Sequence, residues 1–214
     1  MFKIEKCGLK VAEFLLQIKA IKLQPNKPFT WASGWNSPIY CDNRKILSYP
    51  EVRTYIRQQF VEMITEVYGK PDVIAGVATG GIAIGALVAQ ELGVPFVYVR
   101  SAAKGHGLQN KIEGDLDSSQ TVVMVEDLVS SGKSSLDALE AIREIGCTVK
   151  GMVAIFTYSF DIAEDNFKNA NCKLHTLSDY DCLLKQAIKS NYVTEKDLDS
   201  LNEWRKNPSL WNQN

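Results

Sequence analysis

Two adjacent carboxylates, Glu126 and Asp127, are the residues whose types and spacing most clearly indicate chemistry. They follow residues 121–125, a short apolar run rich in β-branched side chains that predicts a buried strand ending at this pair. A turn of small, hydroxyl-bearing residues at 130–134 comes next, and helical spacing begins at Leu136. Backbone N–H groups at a helix start are unpaired and favour an anion, so the turn predicts a phosphate site. Carboxylates suit hydroxyl groups, a metal ion or a developing positive charge, so we expect a ligand like a sugar phosphate.

The same turn resembles the end of a Walker A loop at Gly132 and Lys133. That motif requires a glycine five residues before the Gly-Lys pair, and this position is Asp127, so the match fails. The other alternative is an ordinary strand–helix turn with a serine N-cap. Adjacent carboxylates directly after five apolar residues favour a ligand site over this alternative.

Composition limits the classes of protein to which the chain can belong. The 214 residues are 45% hydrophobic and 23% charged, and we expect one α/β domain over residues 1–214. A net charge of −1 gives no basic field, and no apolar run is long enough to span a bilayer, so neither nucleic acid nor a membrane is expected as a partner. The five cysteines lack CxxC spacing, which predicts reduced thiols and a cytoplasmic location.

Helical and strand patterns alternate through most of the chain. We predict helices at 6–21, after Pro50, and at 82–92, 136–145 and 162–169, and strands at 72–78, 95–99, 121–125, 149–156 and 173–177. The alternation predicts a mainly parallel core sheet between residues 70 and 178, covered on both faces. Ligands of such sheets bind outside the carboxyl ends of the strands, where the turn at Thr79 and the acidic pair both lie.

Two segments lie outside this alternation. Residues 25–45 are irregular and carry Trp31, Trp35 and Tyr40, which either cover the core or line a pocket for a planar ligand. A polar helix at about 194–204 either packs on the core or frays, and we expect no chemistry there.

A long segment between the second and third predicted core strands carries cations. Roughly twenty residues without periodicity connect these strands, where about 2–6 is usual. Arg100, Lys104, His106 and Lys111 lie among several glycines in this segment. A cationic, glycine-rich loop would suit closure over a polyphosphate and the exclusion of water.

These motifs together resemble a known family. The strand, acidic pair and small loop resemble the phosphoribosyl-pyrophosphate (PRPP) motif of type I phosphoribosyltransferases. The pattern R-x3-K-x-H-G, starting at Arg100, resembles the mobile catalytic loop of orotate phosphoribosyltransferases. FTWASG and NSPIYCDNR within residues 29–44, and FTYSF at 156–160, extend the resemblance over nearly the whole chain. Ser101 and Ala32 are departures, since many members carry lysine at both positions.

The resemblance implies a fold and an activity. The fold is the type I phosphoribosyltransferase fold, a mainly parallel sheet with helices on both faces and an N-terminal hood at residues 1–48. The activity is transfer of the 5-phosphoribosyl group from PRPP to N1 of orotate, giving orotidine 5′-phosphate and pyrophosphate in de novo pyrimidine (UMP) biosynthesis. Mg²⁺ is expected to bind mainly through PRPP, and the enzyme to be a homodimer with a loop shared across the interface.

The resemblance also implies roles for individual residues. The implied catalytic residues are Lys104, His106, Glu126 and Asp127. The implied PRPP-binding residues are Thr79, Gly80, Gly81, Arg100, Lys104, His106, Glu126, Asp127, Leu128, Val129, Ser130, Ser131, Gly132, Lys133 and Ser134. The implied orotate-binding residues are Ser130, Tyr40, Cys41 and Tyr158, and no residue is expected to be a direct metal ligand.

Two alternatives stay open at this point. The PRPP motif also permits a phosphoribosyltransferase for another base, although FTWASG and the KGHG loop argue against it. A catalytically inert PRPP-sensing regulator would need the PRPP loop but not the cationic one. Such regulators often add a nucleic-acid-binding module, for which the chain shows neither a basic patch nor spare length.

Overall fold

A computed structural model describes residues 4–31, 34–101 and 111–211. The strands in this part of the chain are β1 (Ile21–Leu23), β2 (Phe29–Thr30), β3 (Asn36–Ser37), β4 (Ile39–Cys41), β5 (Val73–Val77), β6 (Phe96–Val99), β7 (Ile112–Glu113), β8 (Thr121–Val129), β9 (Thr148–Thr157) and β10 (Leu174–Asp179). The α-helices are α1 (Ile4–Gln17), α2 (Pro50–Tyr68), α3 (Gly80–Leu92), α4 (Lys133–Glu144), α5 (Asp161–Asn169), α6 (Tyr180–Lys189) and α7 (Leu198–Lys206). Short 3₁₀ helices cover Asn43–Ser48 and Glu195–Asp197.

A six-stranded sheet lies at the centre of the molecule. Its strand order is β10–β9–β8–β5–β6–β7, and all neighbours run parallel except β7, which pairs antiparallel with β6. All five residues of β5 are buried, as expected for a strand covered on both faces. The prediction of a mainly parallel sheet is confirmed.

Helices cover both faces of this sheet, as predicted. On one face Ile74, Val123 and Ile155 pack in a core with α1, α2, α3, α6 and α7. On the other face Ala75 and Met124 pack in a second core with α4 and α5. Strand residues alternate between the two cores because successive side chains of a strand point to opposite faces.

Several boundaries differ from the sequence prediction. The predicted strand at 121–125 continues to Val129, because β9 is ten residues long and pairs with β8 as far as Val129 and Thr157. Glu126 and Asp127 therefore lie within the strand and not after its end. The first helix ends at Gln17 rather than Ile21, since Lys19 has a left-handed φ of 54° and Ile21 begins β1. Helix α6 was not predicted.

Part of the long cationic segment forms regular structure, since Ile112 and Glu113 make up strand β7. Ile112 pairs with Val99, and the N–H of Arg100 donates to the carbonyl of Lys111 over 2.8 Å. These contacts hold the two ends of the segment together beside β6. Lys104 and His106 fall at residues 102–110, which lie outside the described part of the chain.

The part of the predicted N-terminal hood (residues 1–48) that follows α1 runs from β1 through the 3₁₀ helix Asn43–Ser48 and packs on the first core; this part is called the hood below. Strands β1 and β4 pair antiparallel, as do β2 and β3. Trp31 donates from Nε1 to the carbonyl of Ile39 over 3.0 Å, and its ring contacts those of Tyr158 and Trp204 at 5.6 and 5.7 Å. Trp31 is therefore a packing residue, and the helix that carries Trp204 packs rather than frays.

None of the helices in the described ranges combines the length and the apolar character needed to cross a membrane.

The central position of Trp204 predicts a large loss of stability on truncation. Trp204 is fully buried among the rings of Trp31, Tyr158, Phe160 and Tyr180. Trp204→Ala should lower the free energy of unfolding by about 3–5 kcal/mol, because it removes a large buried ring and leaves a cavity. Urea unfolding followed by circular dichroism measures this loss.

Leu210→Ala is the control on the same C-terminal segment. Leu210 is 72% exposed, so its truncation should change the free energy of unfolding by no more than about 0.5 kcal/mol. Equal stability of the Trp204→Ala variant and the wild type would show that the tail is dispensable for the fold.

Candidate active site

The two adjacent carboxylates point to opposite faces of β8. Glu126 faces α4 and is 4% exposed, whereas Asp127 is half-buried beside the start of α3. This difference follows from the alternation of side chains along a strand. Only Asp127 combines partial exposure with a position at the mouth of the site.

Glu126 is held inside the protein by two hydrogen bonds. Its carboxylate accepts from the backbone N–H of Asp127 over 2.9 Å and from the hydroxyl of Ser135 over 3.0 Å. Ser135 is 1% exposed and lies in the first turn of α4. Burial, followed by the neighbouring Asp127, raises the pKa of Glu126 well above its ordinary value. The carboxyl group of Glu126 thus connects β8 to the start of α4.

Asp127 is held by a hydrogen bond to its backbone carbonyl, and its carboxylate occupies the space that a side chain at Gly80 would fill. Its carbonyl accepts a 2.7 Å hydrogen bond from Nδ2 of Asn43 in the hood. The carboxylate lies directly over Gly80, where an added Cβ would overlap its atoms. Gly80 therefore lets the carboxylate lie against the N-terminus of α3, whose unpaired N–H groups and dipole favour a negative charge.

The turn that starts α3 also faces the site. Thr79 precedes the helix after a cis peptide bond from Ala78, and its side chain makes no capping hydrogen bond. A cleft of about 380 Å³ lies beside it, lined by Ala78, Thr79, Ile82, Tyr98, Arg100, Ser101 and Glu113. Thr79 and Arg100, predicted from separate motifs, therefore line one cleft, and Arg100 also contacts Glu113 at 3.3 Å.

The predicted phosphate turn lies between β8 and α4. Gly132 has a left-handed φ of 79°, and a Cβ there would meet the ring of Phe167 at 2.7 Å. Asn166 donates from Nδ2 to the carbonyl of Ser131 over 2.9 Å, which holds that carbonyl toward α5. No side chain caps α4, so its first N–H groups stay available to an anion. Ser130 is half-buried, and Lys133 and Ser134 are exposed.

Leu128 and Val129, between the acidic pair and this turn, have apolar environments. Leu128 packs against the first core, and Val129 is fully buried in the second. Their side chains therefore support the strand, and only their backbone groups could contact a ligand.

The residues predicted to bind a base gather at the hood side of the site. Tyr40 is 40% exposed and packs on Phe29 with ring centroids 5.7 Å apart. Tyr158 is buried and stacks on Phe160 at 5.3 Å. Burial raises the pKa of Tyr158, and the nearby Cys41 and Asp127 add to the shift. Burial likewise raises the pKa of the Cys41 thiol, with Asp127 the next cause. Hydrogen bonds place both residues beside the acidic strand: Cys41 is linked to Asp127 through Asn43, and the N–H of Tyr158 donates to the carbonyl of Val129 over 3.3 Å.

Sequence reasoning missed three polar residues that organise this site: Asn43, Ser135 and Asn166. Ser135 ends the Ser-Gly-Lys-Ser-Ser run, so the sequence shows a hydroxyl at this position. The sequence does not show that this hydroxyl points into the protein, toward Glu126. Asn43 contacts Asp127 across 84 positions and Asn166 contacts Ser131 across 35. Asn43 belongs to the NSPIYCDNR segment, but nothing in that segment indicates a contact with residue 127, and no local pattern marks Asn166.

No group of three or more His, Cys, Asp or Glu side chains within 4–31, 34–101 and 111–211 is arranged to hold a metal ion.

Sequence comparisons place the chain among named enzymes. Residues 44–186 match the family described as "Phosphoribosyl transferase domain". A protein of Porphyromonas gingivalis named "Orotate phosphoribosyltransferase" is 55% identical over 204 residues, covering 95% of this chain and 97% of that protein. One of Bacteroides thetaiotaomicron with the same name is 58% identical over 200 residues, covering 94% of each.

Solved structures give the same picture for the fold. A crystal structure of orotate phosphoribosyltransferase from Aeropyrum pernix superposes with a TM-score of 0.71 at 26% identity, covering 86% of this chain and 99% of that one. The structure of Leishmania donovani UMP synthase gives a TM-score of 0.76 at 27% identity and covers 92% of this chain. This chain spans 42% of the length of that Leishmania protein.

The contact between Gly80 and Asp127 predicts that a side chain at position 80 lowers stability only when the Asp127 carboxylate is present. Gly80→Ala should lower the free energy of unfolding by about 1–3 kcal/mol, because the new methyl group must displace a carboxylate that is fixed by its backbone. The three heavy atoms nearest to an added Cβ all belong to the Asp127 carboxyl group. In an Asp127→Ala background the same substitution should therefore cost little. A similar loss in both backgrounds, measured by denaturant unfolding, would contradict this geometry.

The burial of Glu126 predicts that replacing it with glutamine, its neutral isostere, changes the free energy of unfolding by an amount that depends on pH. The native state holds the proton of Glu126 more tightly than the unfolded chain does, so the wild type loses stability as pH rises above the ordinary value of 4.5. Glu126→Gln lacks this titration. Its free energy of unfolding relative to the wild type should therefore increase as pH rises from 4.5. Urea unfolding below and well above this pH tests the sign, and a difference that stays constant with pH would refute it.

Proposed function

The chain belongs to the orotate phosphoribosyltransferase family, and from its site we propose which residues carry out the transfer. The reaction moves the phosphoribosyl group of PRPP to orotate and gives orotidine 5′-phosphate and pyrophosphate, a step of pyrimidine biosynthesis. The bond from C1′ to the pyrophosphate oxygen breaks, and a bond from C1′ to N1 of orotate forms. One observation carries the assignment of roles: the Asp127 carboxylate lies against the uncapped N-terminus of α3, and the strand that carries it leads through the 130–134 turn into the uncapped N-terminus of α4.

The turn at residues 130–134 is proposed to bind the 5′-phosphate. The free N–H groups at the start of α4 and the hydroxyls of Ser130, Ser131 and Ser134 are donors suited to a phosphate dianion. The left-handed Gly132 turns the backbone so that these N–H groups converge. Lys133 is exposed and adds a positive charge at the rim.

Asp127 is proposed to hold the ribose. Its carboxylate accepts hydrogen bonds from hydroxyl groups and stabilises positive charge that develops at C1′ in an oxocarbenium-like transition state. Glu126 is proposed to act in the same region, but its carboxyl group is bound to Ser135 and to the N–H of Asp127. In this arrangement Glu126 supports the ribose site through the Asp127 backbone.

Pyrophosphate is proposed to lie beside the α3 turn. Thr79, Gly80 and Gly81 present backbone amides there, and Arg100 lines the same cleft as Thr79. Lys104 and His106 lie outside the described residues, and their role in stabilising the departing pyrophosphate is inferred from the sequence motif. Cationic groups at the leaving oxygen lower the barrier because negative charge accumulates there.

Orotate is proposed to bind between the hood and the strand β8. Tyr40 offers an exposed aromatic face, and Cys41, Tyr158 and Ser130 are proposed to contribute polar atoms to the base. An aromatic face suits a planar pyrimidine ring. Held in this position, N1 of orotate would approach C1′ from the side opposite the pyrophosphate, which gives inversion.

The donor set fits Mg²⁺ that arrives with PRPP. Mg²⁺ is proposed to be held mainly by PRPP oxygens, and the half-buried carboxylate of Asp127 would lie near it and complement its charge without being a direct ligand. Bound Mg²⁺ would supply neutralisation of the pyrophosphate charge. The protein residues orient the ribose and the base, and positioning accounts for most of the catalysis.

A homodimer and a cytoplasmic location are proposed as well. Helix α3 is apolar except at Gln90 and Glu91 near its end, and Ile82, Ala83, Ala86 and Leu87 remain partly exposed. A helix of this composition is usually buried, which supports a second copy against it and a loop shared between the copies. All five cysteines are free, in agreement with a reducing compartment.

A steady-state assay with a panel of bases tests the proposal. Purified protein, PRPP and Mg²⁺ are mixed with orotate, uracil, adenine or hypoxanthine, and pyrophosphate release is measured together with the loss of orotate absorbance. Turnover is expected with orotate alone, and removal of Mg²⁺ by a chelator should abolish it. Turnover with another base would refute the proposed base site but leave the PRPP site intact. PRPP binding without any turnover would favour a sensor.

A further inference from the structure

Asn43 is a buried polar residue that connects the hood to the acidic strand. It begins the 3₁₀ helix Asn43–Ser48, two positions after the end of β4, and is 1% exposed. Its Nδ2 donates to the carbonyl of Asp127 over 2.7 Å. The hood therefore contacts the centre of the site through a short hydrogen bond as well as through apolar packing.

Both ends of the Asn43 amide are occupied. The thiol of Cys41 donates to Oδ1 over 3.3 Å, while Nδ2 donates to Asp127. A backbone carbonyl can only accept, so the nitrogen of the amide must face Asp127 and the oxygen must face Cys41. One side chain thus fixes the distance between the end of β4 and the strand β8.

The bond from Asn43 completes the restraint on Asp127. The N–H of Asp127 donates to Glu126, and its carbonyl accepts from Asn43. These two bonds fix the peptide groups on both sides of the residue. The Cα–Cβ direction follows from those peptide groups, so the two bonds keep the side chain on the α3 side of the strand, where its carboxylate lies over Gly80.

We propose that Asn43 is a positioning residue that aims the Asp127 carboxylate and keeps it in register with Tyr40 and Cys41. The inference rests on the proposed function, in which Asp127 meets the ribose and β4 meets the base. Without the donor, the carbonyl of Asp127 would lose its partner, and the peptide group after Asp127 could shift and carry the Cα–Cβ bond and the carboxylate with it. The distance between ribose and base would then no longer be set by a direct contact.

A double-mutant cycle with Asp127 tests this role. Asn43→Ala should lower kcat/KM for PRPP about 10- to 100-fold, the effect of leaving a buried hydrogen-bonding group without its partner. If Asn43 acts through Asp127, the same substitution in an Asp127→Asn background should change kcat/KM by less than about twofold, since contacting residues are coupled. Losses that multiply would show that Asn43 does not act through Asp127 and would overturn the proposal.

Ile46→Ala is the matched control for loss of stability. Ile46 lies in the same 3₁₀ helix, is 2% exposed, and packs in the apolar core. It should lower the melting temperature but leave kcat/KM within about twofold of the wild type when assayed below that temperature, because its truncation removes core packing and no polar contact of Asp127. A loss in this variant as large as that of Asn43→Ala would mean that any loosening of the hood impairs turnover, which would contradict a specific role for Asn43.

The wild type is assayed first, so that two failures can be separated. Absence of turnover with orotate in the wild type would refute the proposed function. The cycle would then be measured as the Kd for PRPP by titration calorimetry, with the same expected pattern. Independent effects of Asn43→Ala and Asp127→Asn on that Kd would overturn the inference about Asn43.

Discussion

The close approach of helix α3 to strands β5 and β8 is the constraint on which the rest of the site depends. A Cβ on Gly81 would overlap the carbonyl of Val125, and one on Gly76 would lie 2.7 Å from the carbonyl of Gly81. Backbone therefore packs directly on backbone at this point. Gly80, beside them, places the N-terminus of α3 against the carboxylate of Asp127. A larger side chain at these glycines would separate the helix from the carboxylate and remove the convergence that makes the site.

The second constraint is the division of the acidic pair between the two faces of the strand. Two adjacent carboxylates facing the same way would repel each other, but alternation sends Glu126 toward α4 and Asp127 toward α3. Burial disfavours the charged form of Glu126 and raises its pKa, and two hydrogen bonds offset part of this cost. A buried ionisable group that costs stability is common at functional sites. Here the Ser135 contact keeps the phosphate turn at a fixed position relative to Asp127.

The sequence predicted the elements of the fold better than it predicted their contacts. Strands β5, β6 and β9 follow from apolar runs, and the acidic pair and the 130–134 turn identified the site. The extension of β8 to Val129 was missed because it depends on the length of its neighbour β9, which local patterns do not encode. Asn43 was missed for a similar reason: its partner lies 84 residues away, and an asparagine in an irregular segment has no periodic signal. The opposite directions of Glu126 and Asp127 could have been inferred from the strand period, had the strand been extended through them.

The proposed orotate pocket depends on aromatic packing between the hood and the C-terminal helix α7. Tyr158 is held between Trp31 of the hood and Trp204 of α7, so the C-terminal helix supports a wall of the proposed orotate pocket. The indole N–H of Trp204 has no hydrogen-bond acceptor among the described residues, which costs about 1–3 kcal/mol. Burial of a ring of this size contributes about 4–6 kcal/mol, so packing outweighs the unmade hydrogen bond. The aromatic cluster therefore fixes the hood on the sheet by apolar contact, and within that fixed frame a single amide, Asn43, can set the position of Asp127. Rigid packing at a distance and one directed hydrogen bond at the site act together, since neither would orient the carboxylate alone.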